Sequence, residues 1–177
     1  MRCFIAIKPP LDISNFFHNH ILSYKGFFSG KIVKPEQMHI TLFFFNNLSD
    51  SQKDLVCNTL EQFHKYKSFQ VTLSRYDFFY RDRTPSVCFV KASSPELFKL
   101  REDMAVKLNS LPFDRKPFKA HLTLSRIKKV ENKDNLDRFL SESELKYFNV
   151  NEILFIKSEL TNTGPIYTNI YNLKLMR

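Results

Sequence analysis

Two stretches of this sequence share one pattern: MHITLFFF at residues 38–45 and AHLTLSRI at residues 120–127. Apolar runs of this length are typical of buried β-strands. Each run is interrupted by a His-x-Thr sequence, with His39 and Thr41 in the first run and His121 and Thr123 in the second. Because side chains alternate between the two faces of a strand, each histidine is expected to share a face with its threonine, about 6.6 Å along the strand.

The repetition of this motif decides between two interpretations. A single histidine on an apolar strand is more often a hydrogen-bonded structural residue than a functional one. Two copies with matching apolar flanks, each with two polar side chains on one face, favour function instead. If the two strands lie side by side, two imidazoles and two hydroxyls face one cleft. The pattern therefore predicts acid–base groups suited to a phosphodiester.

Length and charge limit the architecture and the partners. The chain has 177 residues, of which 43% are hydrophobic and 25% charged, enough for one hydrophobic core. We expect a single domain over residues 1–177, made of two lobes with no separate linker. The formal net charge of +9 suits a polyanionic partner, although a lysine-rich surface can also arise from composition alone.

Several classes of protein are not supported by the sequence. The apolar stretch at the start is only five residues long, too short for a signal peptide, and no run reaches transmembrane length. The cysteines Cys3, Cys57 and Cys88 are odd in number and widely spaced, as expected of reduced thiols in a cytoplasmic protein. No cluster of His, Cys, Asp or Glu has metal-ligand spacing. We expect no membrane span, no metal and no cofactor.

The order of the predicted elements indicates the fold class. Strands are predicted at residues 2–8, 31–34, 38–45, 69–80, 87–92, 120–127, 148–160 and 167–175. Helices are predicted from Pro9 to about residue 24, from the capping box of Ser49 and Gln52 to about residue 66, and at residues 95–109 and 132–141, with a turn at residues 161–165. This order predicts an α+β arrangement in which helices pack on one face of each of two small sheets.

A family resemblance is carried by the segments around both motifs. Residues 33–44 read V-x-P-x-x-x-H-x-T-L-x-F, and residues 115–126 read R-x-P-F-x-x-H-x-T-L-x-R. A Ser-x-Leu at residues 158–160 is followed by Gly-Pro-x-Tyr at residues 164–167. With these segments the chain resembles the 2H phosphoesterase superfamily, specifically the RNA 2′,3′-cyclic phosphodiesterases once described as 2′-5′ RNA ligases. It departs from the family pattern by the inserted Lys116 and by Ala120 in place of proline, both beside the expected cleft.

The resemblance implies a fold and a reaction. The fold is the two-lobed, pseudo-twofold 2H phosphoesterase fold, with two small antiparallel sheets backed by helices around a central cleft. The reaction is metal-independent hydrolysis of RNA 2′,3′-cyclic phosphodiester ends to 2′-phosphomonoesters. His39 would be the proton donor and His121 the proton acceptor, although the two copies are too alike for the residues themselves to assign these roles. Thr41 and Thr123 would donate hydrogen bonds to the phosphate.

Two further residues are expected to bind substrate. The resemblance implies that Arg126 contacts the phosphate and that Phe44 supports the base. Strict alternation would turn both side chains to the strand face opposite the histidines. A bulge or a strand end after the fourth motif residue would bring them to the cleft. For Phe44 the alternative is core packing. Tyr167 follows Gly-Pro and is expected to anchor a turn, with a hydrogen bond near the cleft as the alternative.

Two other functions remain open from the sequence. The same site could join RNA ends through a 2′-5′ linkage, or the protein could be a non-catalytic module that binds RNA or nucleotides. The expected partners are RNA ends or cyclic nucleotides, with no membrane and no metal, and the expected state is a cytoplasmic monomer.

Overall fold

The computed structural model describes residues 1–24, 26–132, 134–162 and 164–177. Its strands are β1 (Cys3–Ile7), β2 (Phe28–Ile32), β3 (Ile40–Phe45), β4 (Phe69–Arg81), β5 (Thr84–Ser93), β6 (His121–Val130), β7 (Ser143–Val150), β8 (Glu152–Thr161) and β9 (Gly164–Lys174). Its helices are α1 (Leu11–Ser23), α2 (Asp50–Glu61), α3 (Pro95–Lys107) and α4 (Asp134–Ser141), with a 3₁₀ turn at Pro35–Gln37.

The strands form two antiparallel sheets, as predicted. The first sheet has the order β3-β1-β8-β9, and the second has the order β2-β6-β5-β4-β7. The chain crosses from one sheet to the other more than once. The early strand β2 pairs with β6 of the second sheet, whereas the late strands β8 and β9 join β1 and β3 in the first. Each sheet therefore contains one motif strand, β3 or β6.

Helices back both sheets. Phe17 of α1 packs against Tyr76 of β4, and Phe139 of α4 packs on the same tyrosine ring. On the first sheet, Tyr171 of β9 donates a hydrogen bond to the Glu61 carboxylate of α2. The predicted capping box is confirmed, since Gln52 N–H donates to the Ser49 hydroxyl and Ser49 N–H donates to the Gln52 side chain. The predicted α+β fold with helix-backed sheets is therefore confirmed.

The prediction of one long strand over residues 148–160 was wrong. The segment contains β7 and β8, which belong to different sheets and are separated by Asn151. The end of β7 alternates buried and exposed residues, as a strand with one face towards solvent does, whereas residues 153–156 of β8 are all buried. The short strand predicted at residues 31–34 begins earlier, at Phe28. The predicted helix 132–141 and turn 161–165 include Lys133 and Thr163, which lie outside the described residues.

The two faces of the first sheet bury different clusters. Cys3, Ile5 and Ile7 of β1 belong to the main core, which the helices cover. The opposite face carries a smaller cluster of Phe4, Ala6, Leu154 and Ile156, with Phe44 and Tyr167 packed against it. This smaller cluster forms the apolar floor on which the cleft residues rest. Among the described residues, no helix is both long and apolar enough to cross a membrane.

Candidate active site

A cleft of about 240 Å³ lies between the two sheets and is lined by side chains from both. It brings together all six residues selected from the sequence: His39, Thr41, Phe44, His121, Thr123 and Arg126. The two motifs lie 82 residues apart in the chain. Their convergence follows from the topology, because β3 and β6 border the same opening from different sheets.

Both imidazoles are held in the same way. His39 Nδ1 is 2.7 Å from the carbonyl oxygen of Gln37, and His121 Nδ1 is 2.6 Å from the carbonyl oxygen of Lys119. A carbonyl oxygen can only accept, so Nδ1 carries a hydrogen and donates it in both cases. Nε2 is therefore the nitrogen that gains or loses a proton in each ring. The tether also fixes the orientation of each ring relative to its strand.

Both motif strands contain a β-bulge at the fourth motif residue. The register of β3 against β1 shifts by one residue at Leu42, and the register of β6 against β5 shifts in the same way at Leu124. Alternation is interrupted at these points, so that Leu42 and Phe43 are both buried. After the bulge, Phe44 and Arg126 lie on the cleft side with the histidines. The bulge explanation is therefore correct, and strict alternation is wrong for both residues.

A glycine permits the close approach of β2 to β6 beside Arg126. Gly30 has a φ of +155°, and a Cβ atom built there would lie 2.1 Å from the carbonyl oxygen of Arg126. A larger residue at this position would push β2 away from β6 at Arg126. Gly30 thus contributes to the placement of the arginine through backbone contact alone.

Aromatic rings pack around each histidine. The Phe4 ring stacks on His39 with the ring centroids 4.6 Å apart, and Tyr167 meets His39 edge-on at 5.5 Å. Phe79 and Phe89 meet His121 edge-on at 4.9 and 5.2 Å. Tyr167 lies in β9 and lines the cleft, which differs from the expectation that it anchors a turn. These contacts restrict rotation of both imidazoles and remove water from their faces.

Burial lowers the pKa of both histidines. The pKa of His39 falls to about 4, first because of burial and then because of the positive charges of Lys8, His121 and Arg126. Burial also lowers the pKa of His121, and Arg126 adds to this effect. Both rings are therefore neutral at pH 7 in the free protein. A bound phosphate anion would oppose these positive charges and raise both pKa values.

These shifts predict that acid destabilises the free protein. The pKa of a histidine in the unfolded chain is about 6.5, so the unfolded state takes up protons first as the pH falls below that value. The contribution of neutral His39 to the free energy of unfolding is fully present above about pH 6.5, and it is lost as the pH falls from about 6.5 to about 4. For His39 alone we expect the free energy of unfolding to fall by roughly 1–2 kcal/mol at about pH 5, since the ring is partly open to the cleft.

Urea unfolding of the wild type and of His39→Gln, in buffer without phosphate, measures this loss. The glutamine variant should lose less stability than the wild type between about pH 7.5 and pH 5, because it has no imidazole to protonate. An equal loss in both proteins would show that the His39 pKa is not lowered by folding.

Several cleft residues lie outside the two motifs and were missed from the sequence. The Arg2 guanidinium lies 4.8 Å from the centroid of the Phe44 ring, and its buried Nε has no hydrogen-bond partner. Lys31 of β2 also lines the cleft, and the Gln37 amide donates to the carbonyl oxygen of Pro165 across it. Arg2 directly precedes the apolar run of residues 3–7, and this was the only signal in the sequence for its position.

The charge of the cleft is positive. Its cationic lining residues are Arg2, Lys31 and Arg126, and none of the described residues that line it is an aspartate or a glutamate. Within the described part of the chain, no group of three or more His, Cys, Asp or Glu residues is placed to hold a metal ion. The arrangement can therefore bind a phosphate anion between two proton-transfer groups and several hydrogen-bond donors.

Comparison with known proteins gives the same family as the motifs. The profile of the 2′-5′ RNA ligase superfamily matches residues 9–162. A protein of Methanothermobacter thermautotrophicus named RNA 2′,3′-cyclic phosphodiesterase is 25% identical, over 96% of this chain and 96% of that protein. A protein of Aquifex aeolicus with the same name is 31% identical, over 78% of each chain.

Solved structures have the same fold. The crystal structure of TT0787 of Thermus thermophilus covers 98% of this chain and 97% of its own, with a TM-score of 0.85 and 24% sequence identity. The apo structure of E. coli LigT covers 99% of this chain and 98% of its own, with a TM-score of 0.74 and 18% identity. The resemblance seen in the motifs is thereby confirmed, and the chain belongs to the 2′-5′ RNA ligase superfamily.

Proposed function

We propose that this protein hydrolyses RNA 2′,3′-cyclic phosphodiester ends and leaves a 2′-phosphomonoester. The observation that carries the proposal is the pair of His–Thr motifs in one cationic cleft, each imidazole tethered through Nδ1 to a backbone carbonyl. The relatives named RNA 2′,3′-cyclic phosphodiesterase, which match most of this chain, support the same reaction.

The reaction needs two proton transfers. Water attacks the phosphorus, the bond to the ribose 3′-oxygen breaks, and the 2′-oxygen keeps the phosphate. His121 Nε2 takes a proton from the attacking water, and His39 Nε2 gives a proton to the departing 3′-oxygen. The assignment of donor and acceptor follows the family resemblance. At the end of one turnover the two histidines have exchanged protonation states, and solvent restores them.

The low pKa of His39 is compatible with its role as the donor. A buried imidazole with a pKa near 4 is a strong acid once protonated, so it readily gives its proton to an alkoxide leaving group. His39 must first take up this proton. The charge of the phosphate anion favours that uptake because it raises the pKa of the neighbouring imidazole. Substrate binding and protonation of one histidine are thus coupled.

The remaining cleft residues would bind the phosphate and the nucleoside. Thr41 and Thr123 donate hydrogen bonds to the nonbridging oxygens, whose charge grows as water attacks. Arg126 can hold two phosphate oxygens with its planar guanidinium. Phe44 faces the cleft beneath Arg2, so its ring can support a base instead of only filling the core.

The proposal also covers the domain organisation, oligomeric state, location and partners of the protein. We propose one domain over residues 1–177 that acts as a monomer, because a single chain supplies both histidines and both threonines. We propose a cytoplasmic location, which is supported by three unpaired cysteines. The partners would be RNA ends or cyclic nucleotides; the crystal structure of E. coli LigT with 3′-AMP, whose fold this chain shares, supports a nucleotide ligand.

An assay with two RNA substrates tests the proposed reaction against its alternatives. EDTA-treated protein is incubated with an RNA that ends in a 2′,3′-cyclic phosphate, with and without a second RNA that carries a 5′-hydroxyl. We expect ring opening at the same rate in both mixtures, with joined RNA as a minor product, because water is in large excess over the hydroxyl. Joined RNA as the main product would support 2′-5′ ligation, and binding without turnover would support a non-catalytic module. Loss of activity on EDTA treatment would contradict chemistry without a metal.

A further inference from the structure

A second groove adjoins the cleft and shares Thr41, Phe44 and His121 with it. It has a volume of about 620 Å³, and the rest of its wall comes from β3, from Phe79 of β4, from α3 and from the loop of residues 114–119. Apart from the shared residues, and from Phe79 and Lys119, which hold the His121 ring in place, this wall has no part in the proposed reaction. The groove opens beside the position that the reacting phosphate would occupy.

Arg101 of α3 lines this groove without an anionic partner. Its guanidinium lies 4.7 Å from the centroid of the Phe43 ring and 5.4 Å from that of Phe118. Its Nε is buried with no hydrogen-bond partner, and the side chain forms no ion pair with any described residue. Burial lowers the pKa of this guanidinium, and the negative charge of the adjacent Glu102 opposes that effect only in part. A partly buried guanidinium that forms no ion pair can be stabilised by a bound anion.

The rest of the groove also favours an anionic, aromatic ligand. The exposed Lys116 and Lys119 add positive charge, and the carboxylate of Asp114 is already paired with Lys116 at 3.6 Å. The partly buried rings of Phe79 and Phe118 supply aromatic surface on the same wall. Positive charge interleaved with aromatic rings is the combination that binds single-stranded nucleic acid, through its phosphates and its bases.

We propose that the second groove binds the nucleotide on the 5′ side of the terminal, cyclic-phosphate nucleotide. The phosphodiester that joins this nucleotide to the terminal nucleotide pairs with Arg101, and the base of the same nucleotide stacks on Phe118. This proposal rests on the proposed function and narrows it, because it makes an RNA chain, and not a cyclic mononucleotide, the preferred substrate. The two subsites are contiguous through the shared wall of Thr41, Phe44 and His121.

Kinetics on two substrates test this proposal. The substrates are 2′,3′-cyclic AMP and a diadenosine dinucleotide that ends in a 2′,3′-cyclic phosphate. We expect the wild type to have a kcat/KM about tenfold higher on the dinucleotide, which is the order expected of one charged hydrogen bond. Arg101→Met retains much of the packing volume and removes the charge, and it should abolish this preference while leaving the mononucleotide rate within about twofold.

Two further variants keep the test independent of folding. Lys107→Met removes an exposed charge from the same helix outside the groove and should leave both rates unchanged. Lys116→Glu, on the exposed loop, should lower the dinucleotide rate alone, by about threefold. Equal wild-type kcat/KM on both substrates, or an equal loss on both in Arg101→Met and Lys116→Glu, would overturn the subsite. Failure of the wild type to hydrolyse either substrate would instead overturn the proposed function and the subsite with it.

Discussion

Replacing His39 or His121 by alanine is expected to lower the turnover of a 2′,3′-cyclic phosphate substrate by about 10²–10⁴-fold in each case. Each imidazole carries one of two required proton transfers, and no other described side chain that lines the cleft is a histidine, an aspartate or a glutamate. Because the two transfers belong to one reaction, the double variant should lose little more than the more damaged single variant.

Single-turnover rates across a range of pH measure this effect. The wild type should show a bell-shaped profile, since one histidine must be protonated and the other neutral, and each single variant should lose one limb. His64→Ala is the matched control, because His64 is exposed on the surface and its ring forms a hydrogen bond with the Glu61 carbonyl oxygen, away from the cleft. Near-wild-type turnover in either active-site variant would contradict its role in proton transfer.

Replacing Arg126 by lysine is expected to be almost as damaging as replacing it by alanine, with a loss of about 10²-fold in kcat/KM for both. The guanidinium can hold two phosphate oxygens in one plane, whereas an ammonium group is a single point charge on a flexible chain. The bulge at Leu124 and the close approach of Gly30 place residue 126 at the cleft.

The comparison is made at fixed ionic strength, because general loss of positive charge also weakens binding of an anion. Arg75 is the matched control: it is exposed on β4 of the same sheet, and neither its alanine nor its lysine variant should change the rate. Full activity in Arg126→Lys with loss in Arg126→Ala would show that charge alone suffices. Near-wild-type rates in both Arg126 variants would remove this residue from substrate binding.

The sequence predicts which residues line the cleft better than it predicts how the backbone places them. Period-two alternation correctly places His39 with Thr41 and His121 with Thr123, because these pairs precede the bulges. Beyond the fourth motif residue the same rule gives the wrong face for Phe44 and Arg126. A bulge depends on the register of the neighbouring strand, and that register is not encoded in the motif itself.

The local hydropathy pattern also could not predict which sheet a strand joins. Residues 148–160 read as one apolar strand, yet the chain leaves the edge of the second sheet at Val150 and enters the interior of the first at Glu152. Of the cleft residues, Arg2 directly precedes β1 and Lys31 lies in β2, and both strands pair with distant segments. Their positions follow from pairings between strands far apart in the sequence, and only the three-dimensional structure supplies these.

The most direct test of the central claim is the position and origin of the new phosphate oxygen. EDTA-treated protein is given 2′,3′-cyclic AMP in ¹⁸O-labelled water, and the product is analysed by ³¹P NMR. If one histidine activates water and the other protonates the departing 3′-oxygen, the product is adenosine 2′-phosphate with one labelled oxygen. A 3′-phosphate, an unlabelled product or no product at all would contradict this account of the cleft.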